Sequence, residues 1–355
     1  MRLEDLASGS IQETPRPTPL PIPTQELTTE SLVASSTAIT PRGTTGYSRK
    51  LPWGTGRILG ATQGAEQFNS ARQAMMALGL DWEVEKTDLF TEFNGGRWKV
   101  DDFQAVRRSD NGNTLGIVKG QYAPWQNRRL AEFTDTLVSV SGTRTATMGE
   151  AFGGRKVYSV VELPDIDAPD GAIGTFIIVS NSHDGSSSVS ASFMIVRWSC
   201  TNGMVALWEE PHTIKVRHTG TMEHRLQEAQ RIMAAHVDVV EDTTYNVERM
   251  LAVPVMATQA ERFINEIIPI PDETKDNQRA VRNAMKRQQE VRSTWLNSEN
   301  LEDIRHTGYG FFNAVVEWNE WTGSHVNRRR LSPMERLLND SASDAVAKAR
   351  ELVLA

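Results

Sequence analysis

Histidine beside aspartate is the first pair in this chain whose chemistry invites a role. His183-Asp184 sits in Asn181-Ser182-His183-Asp184-Gly185-Ser186-Ser187-Ser188. Such a pair can move a proton or contribute to a metal site, but a metal needs three or four converging ligands and this pair supplies at most two. The competing reading is a polar hairpin loop in which His183 and Asp184 shape the turn and Asp184-Gly185 makes it. His212, His218 and His224 recur every six residues, which is no zinc spacing, and Cys200 alone cannot complete a site. Gly149, Gly153 and Gly154 lie in a strand–strand connection, so they form neither a P-loop nor a dinucleotide fingerprint. No serine-elbow, zincin or Walker sequence occurs. The expectation is a chain without catalytic residues, metal or cofactor.

Basic residues carry a stronger signal. Between 97 and 130 seven cations, Arg97, Lys99, Arg107, Arg108, Lys119, Arg128 and Arg129, stand against three aspartates, with Trp98, Phe103, Tyr122 and Trp125 interleaved. Cations that neutralise phosphates beside aromatics that stack on bases are the ingredients of single-strand binding. A sheet with core aromatics and a solvated charged face gives the same composition. Farther on, Lys275, Arg279, Arg282 and Lys286 fall on one helical face, opposite Val281, Ala284, Met285, Gln288, Val291 and Trp295. Arg328-Arg329-Arg330 adds a third basic cluster in a loop.

These residues need elements to position them. Residues 1–52 hold seven of the fifteen prolines, alternating in Pro15–Pro23, and read as a disordered tail. Apolar positions Phe68, Ala71, Met75 and Leu78 predict a helix over 64–78, with Gly79 to end it. Strands follow over 82–118, broken by Asn94-Gly95-Gly96 and Asp110–Asn113, and a short helix over 126–138. Lys156–Glu162, Ile173–Ser180 and 189–198 read as further strands, antiparallel because their connections are short. In the last, Val189, Ala191, Phe193 and Ile195 are apolar throughout. Ser190, Ser192, Met194 and Val196 change from polar to apolar, as in a strand that passes under cover. Helices are expected over 223–249, 255–267, 276–296, 309–322 and 341–353. Strands first and helices afterwards predict an α+β fold with an antiparallel sheet core at about 80–218. The expected division is a tail, a core over 53–325, and a C-terminal basic loop and helix over 326–355.

The single cysteine excludes an internal disulfide, and the apolar runs are far shorter than the ~20 residues a membrane span requires. With no apolar signal core at the N-terminus, the expected location is cytoplasmic and no membrane partner is expected. A net charge of −7 argues against a globally basic coat but leaves room for a local basic groove.

Several stretches resemble the phage/plasmid-like family of domains of unknown function. They are Leu78–Trp82, Leu115–Pro124, Asn181–Ser186, Val196-Arg197-Trp198-Ser199-Cys200-Thr201-Asn202, and Thr307–Trp318 with Asn313 at its centre. The likeness runs in order over about 64–325, departing at Trp198-Ser199, where smaller aliphatic residues are the pattern. It marks Asn181, His183, Asp184, Gly185, Arg197, Cys200, Asn202 and Asn313 as motif residues. It implies a phage or plasmid setting, hence DNA maintenance, recombination or host takeover. The order helix, β-meander, helix is also similar, in architecture alone, to the Redβ/Erf class of single-strand annealing proteins. The leading expectation is therefore a non-enzymatic protein that binds or anneals single-stranded DNA, assembled as an oligomer. Its contacts would be Arg97, Lys99, Arg107, Arg108, Arg128 and Arg129 for phosphates and Trp98 and Trp125 for stacking, with Lys275, Arg279, Arg282 and Lys286 as a further ridge. The alternative is a protein-interaction or host-modulating factor docking through the Pro-rich tail and the acidic body. A third reading is a hydrolase using His183 and Asp184.

Overall fold

The computed structural model describes residues 68, 70–168, 171–197, 203–205, 213–215, 222–323, 334, 335, 338 and 344–355. The tail expected at 1–52, His212, His218, Cys200, Asn202, Arg328-Arg329-Arg330 and the Arg197 side chain lie outside the described set. Within it the fold is α+β, with antiparallel sheets followed by helices.

The first helix, α1 (Ala71–Ala77), starts where Ser70 caps it by accepting from the Gln73 N–H. Gly79, at φ +66, lets the chain leave the helix. Strands β1 (Val84–Phe93), β2 (Gly96–Arg108) and β3 (Thr114–Lys119) form an antiparallel meander. Its tight turn is Asn94-Gly95, both at positive φ, the backbone that a two-residue hairpin of matching twist requires. Helix α2 (Asn127–Ser141) leads into the second sheet, in the order β4 (Arg144–Ala151), β5 (Lys156–Ala168), β6 (Gly171–Ser182), β7 (Ser190–Arg197) and β8 (Gly203–Val205). Strand β9 (Thr213–Lys215) pairs with the other end of β7. Asp135 on α2 accepts the N–H groups of Ala71 and Arg72 and so docks α1 onto α2.

Period-two alternation sorts the second sheet's side chains. Val157, Val161, Ile177, Val179, Ala191, Phe193 and Ile195 enter the main core with Leu130, Phe133 and Leu137 of α2. The opposite face carries Tyr158, Val160, Phe176, Ile178, Met194 and Val196, packed with Met334. Ser190 and Ser192 on that face are half-buried, so the change from polar to apolar along β7 follows the cover above it. Two contacts fix that cover: Phe152 N–H donates to Glu335, and the Lys156 ammonium donates to the Leu338 carbonyl.

Helix α3 (Met222–Ala252) lies on α2 and the sheet with its first half and on the later helices with its second. Helices α4 (Ala257–Ile267), α5 (Gln278–Asn297), α6 (Gly308–Glu317) and α7 (Asp344–Leu354) complete the core, with a π-helical turn at Trp318–Thr322. Val346, Ala349 and Val353 of α7 are buried in the main core. Gly308 and Gly310 explain the Thr307–Trp318 motif: a Cβ on either would collide with Val353 or with the Ile304 carbonyl. Every residue of α6 is buried, Asn313 included, which donates to the Tyr309 carbonyl. No described helix is long and apolar enough to cross a membrane.

Candidate functional site

Asn181 and Ser182 close β6 and His183 follows it, and the alternation of that strand turns Asn181 toward the segment leading into α2 and Ser182 toward the opposite face. His183 is completely buried, its N–H donating to the Arg155 carbonyl at 2.8 Å. Its Nε2 lies 2.8 Å from Asn127 Oδ1, at the start of α2. The Asn127 amide nitrogen is committed to the Leu80 and Trp82 carbonyls, at 2.9 and 3.3 Å. That leaves Asn127 Oδ1 as acceptor, so the proton of neutral His183 sits on Nε2. His183 Nδ1 faces the Asn181 amide nitrogen at 3.4 Å, which also donates to the Trp125 carbonyl at 2.8 Å. Burial holds the His183 pKa down at about 4, and the ring is neutral at pH 7. The Trp82 ring meets it edge-on, with centroids 5.4 Å apart.

His183 falls in the connection between antiparallel β6 and β7, as expected, but its side chain belongs to the core. The polar residues around it in sequence suggested a loop, but its partner Asn127 is 56 positions away and draws it into the core. The turn belongs to Asp184 and Gly185. Asp184 Oδ1 accepts from the Ser182 hydroxyl at 2.5 Å and the Ser186 N–H at 2.9 Å, and Gly185 takes φ +75. Burial works to raise the Asp184 pKa, but the bonds from Ser182 and Ser186, with Arg155 nearby, hold it below the usual carboxylate range. Each of the two side chains hydrogen-bonds elsewhere, His183 to asparagines and Asp184 to serines, so they form no proton relay. Among the described residues no cluster of three or more His, Cys, Asp or Glu could hold a metal.

The meander seats against this loop. Gly116 of β3 passes so close that a Cβ there would lie 2.8 Å from the Asp184 Cα. The Tyr122 hydroxyl donates to the Ser182 carbonyl at 2.9 Å, and burial followed by the Asp184 charge raises the Tyr122 pKa. Tyr122 is thus a clamp rather than a stacking surface. A cleft of about 520 Å³ opens beside it, lined by Tyr122, Asn181, Ser182, Gly185, Ser186–Ser188 and Lys215.

The residues expected to bind nucleic acid divide. Trp125 is 8% exposed, packed against Phe133, and cannot stack on a base. Arg108 is also buried: it lies over the Trp82 ring, 4.2 Å from its centroid, and pairs with Asp110 and Glu150, both at 2.8 Å. Both leave the interface expected from sequence, drawn inward by Phe133 and by Glu150, which the local pattern does not reveal. Lys99 is exposed and paired with Asp88, Arg128 with Glu132, and Arg107 donates to the Gly112 carbonyl. Arg129 is exposed. Trp98 is 62% exposed, and Phe93 beside the turn is 68% exposed. Arg97 lies over the Phe90 ring, 4.1 Å from its centroid. Phe93 is absent from the expected set, although the turn signal at Asn94-Gly95 is enough to mark it as a hairpin-tip residue.

The expected ridge points outward along α5 at Arg279, Arg282 and Lys286, whereas Lys275, also exposed, lies in the turn before the helix begins and is not on its face. Its apolar side is narrower than expected. Val281, Ala284, Gln288, Val291 and Trp295 are buried, but Met285, at the stripe's edge, is 55% exposed. Gln288 is buried because its amide donates to Asn265 and to the Ile268 carbonyl at the end of α4.

Residues 114–345 match the family described as Domain of unknown function (DUF932). The chain belongs to that family. Within this DUF932 region fall Gly116, Tyr122, Asn127, Asn181, His183, Asp184 and the whole of α6, so most of the buried network is family sequence. Leu78–Trp82, the β1–β2 hairpin and most of α7 lie outside the matched residues. No curated protein and no solved structure matches the chain.

Proposed function

We propose that this chain is a non-enzymatic nucleic-acid-binding protein that holds single-stranded DNA on the β1–β2 hairpin. Annealing in phage or plasmid recombination or replication is the process it would serve. The observation that carries the reading is the exposure of Trp98 and Phe93 at the end of a paired ribbon, with Arg97 and Lys99 on the adjoining positions of β2. Large aromatics on a solvent-facing surface cost solvation unless a partner covers them, and a base offers a flat face of matching chemistry. Arg97 and Lys99 lie on the other face of β2, beside Glu92 and Phe90, so they would meet phosphates where a strand wraps around the hairpin tip. Arg107, at the end of β2 away from the tip, and Arg129 on α2 are exposed but stand apart from Trp98 in the fold, while Trp125 and Arg108 are buried.

Fluorescence anisotropy with single-stranded and duplex oligonucleotides at two salt concentrations tests the reading. Trp98→Ala should weaken single-strand binding by about 1–3 kcal/mol with little change in salt dependence. Arg97→Ala should flatten the log–log salt slope by about 0.7 for each phosphate it no longer neutralises. No binding at low salt, or binding indifferent to Trp98, sinks it.

One observation favours a protein partner instead. Asp88, Glu92, Asp101 and Asp102 share the hairpin with Arg97 and Lys99, so its field is mixed. A protein surface tolerates mixed charge better than a phosphate backbone does. Binding of a partner that survives high salt and needs Phe93 and Trp98 would select that alternative.

A further inference from the structure

We propose that two copies of this chain associate by seating the outer face of α3 from one on the outer face of α5 from the other. On α3, Asp238, Glu241, Asp242 and Glu248 are exposed, and none forms an ion pair among the described residues. On α5, Arg279 and Arg282 are exposed and equally without an ion pair among those residues, and Lys286 reaches only Glu290, at 3.8 Å. Each row has an exposed apolar neighbour: Val237 and Tyr245 on α3, Met285 on α5.

The spacings match. Asp238, Glu241 and Tyr245 recur at i, i+3 and i+7, as do Arg279, Arg282 and Lys286, so each set forms one stripe about 10 Å long on its helix. Side-by-side helices meet along such stripes, with apolar residues in the seam and charges flanking them. Within one copy α3 and α5 both pack against α6, and no ion pair joins the two rows among the described residues. A second copy is the occupant that supplies the opposite sign to both rows at once. Nucleic acid fits α5 less well, since that face offers no exposed aromatic and leaves the acidic row of α3 unused. This assignment does not rest on the hairpin reading, and it removes the α5 cations from the DNA interface.

Charge swapping tests it on the full chain. Variant one carries Asp238→Lys, Glu241→Lys and Asp242→Lys; variant two carries Arg279→Glu and Arg282→Glu. All five positions are exposed, and circular dichroism confirms folding. In sedimentation velocity at about 50 mM salt, wild type should associate with concentration and loosen at about 500 mM. Each variant alone should associate at least about tenfold more weakly, because like rows then face each other. Mixed one to one they should associate again, since each restores the opposite sign to the other. A monomeric wild type at about 100 µM, unimpaired single variants, or a mixture that stays apart would overturn the assignment. Loss of oligonucleotide binding in variant two, with wild-type association retained, would hand the ridge to nucleic acid instead. The hairpin reading is judged separately, by whether Trp98→Ala binds DNA.

Discussion

The buried network at His183 and the exposed ribbon ending at Asn94-Gly95 are opposite solutions to placing polar and aromatic residues. Around His183 each ring nitrogen and each asparagine amide nitrogen has a partner, and the aromatics Trp82 and Tyr122 are spent on packing and clamping. At the ribbon, Phe93 and Trp98 face solvent, and the Trp98 indole reaches no farther than the Phe93 carbonyl. The residues that look most like chemistry in sequence are the ones the fold consumes. Those with no motif at all are left free to meet something else.

The contrast breaks most sharply at His183. His183→Ala should remove a fully enclosed ring and orphan Asn127 Oδ1, costing about 3 kcal/mol or more. Denaturant melts measure it, and a loss under about 1 kcal/mol would mean the network is not structural. The next effect is acid sensitivity. Burial depresses both His183 and His236, the latter stacked on Phe193, to about 4. A lowered histidine pKa means the unfolded chain takes up the proton first, so their stabilisation is full above about pH 6.5 and is lost as pH falls toward 4. Thermal melts at pH 7.5 and 4.5 should differ by more in wild type than in His236→Gln. Equal drops would argue against a neutral buried His236. A smaller cost, about 1–3 kcal/mol, is expected for Gly116→Ala, whose methyl would push into the backbone at Asp184. Least of all, Trp98→Ala should move stability by no more than about 0.5 kcal/mol while changing binding, which sharpens the distinction between the two regions.

Local pattern made most of the architecture legible. Hairpin signals at Asn94-Gly95 placed β1 and β2, and the two alternating sets in 189–198 described β7 with the correct face under cover. The helix periods located α3 to α7 within a few residues. What escaped was long-range pairing. Trp125 and Arg108 look like surface residues beside other cations, and only the approach of Phe133 and Glu150 makes them interior. Met285 fits the apolar stripe of α5 by type, but it lies at the edge of the buried face, beyond what covers the rest. Asn127 carried a readable hint, being polar at the start of a helix just after Pro124. Its use as a hinge between His183 and the Leu80 and Trp82 carbonyls depends on tertiary structure alone.

Helix α3 has a mechanical meaning that its neighbours alone do not convey. At 31 residues it is a rod about 45 Å long. Ala229 and Ile232 grip its first half, while Val247 and Met250 grip its second. A rod held at both ends transmits unfolding: losing the sheet would strip half of its support and release the helices at the other end. The amides of β6 and of α6 should therefore exchange with deuterium in one cooperative opening, and heating should produce one transition across both layers.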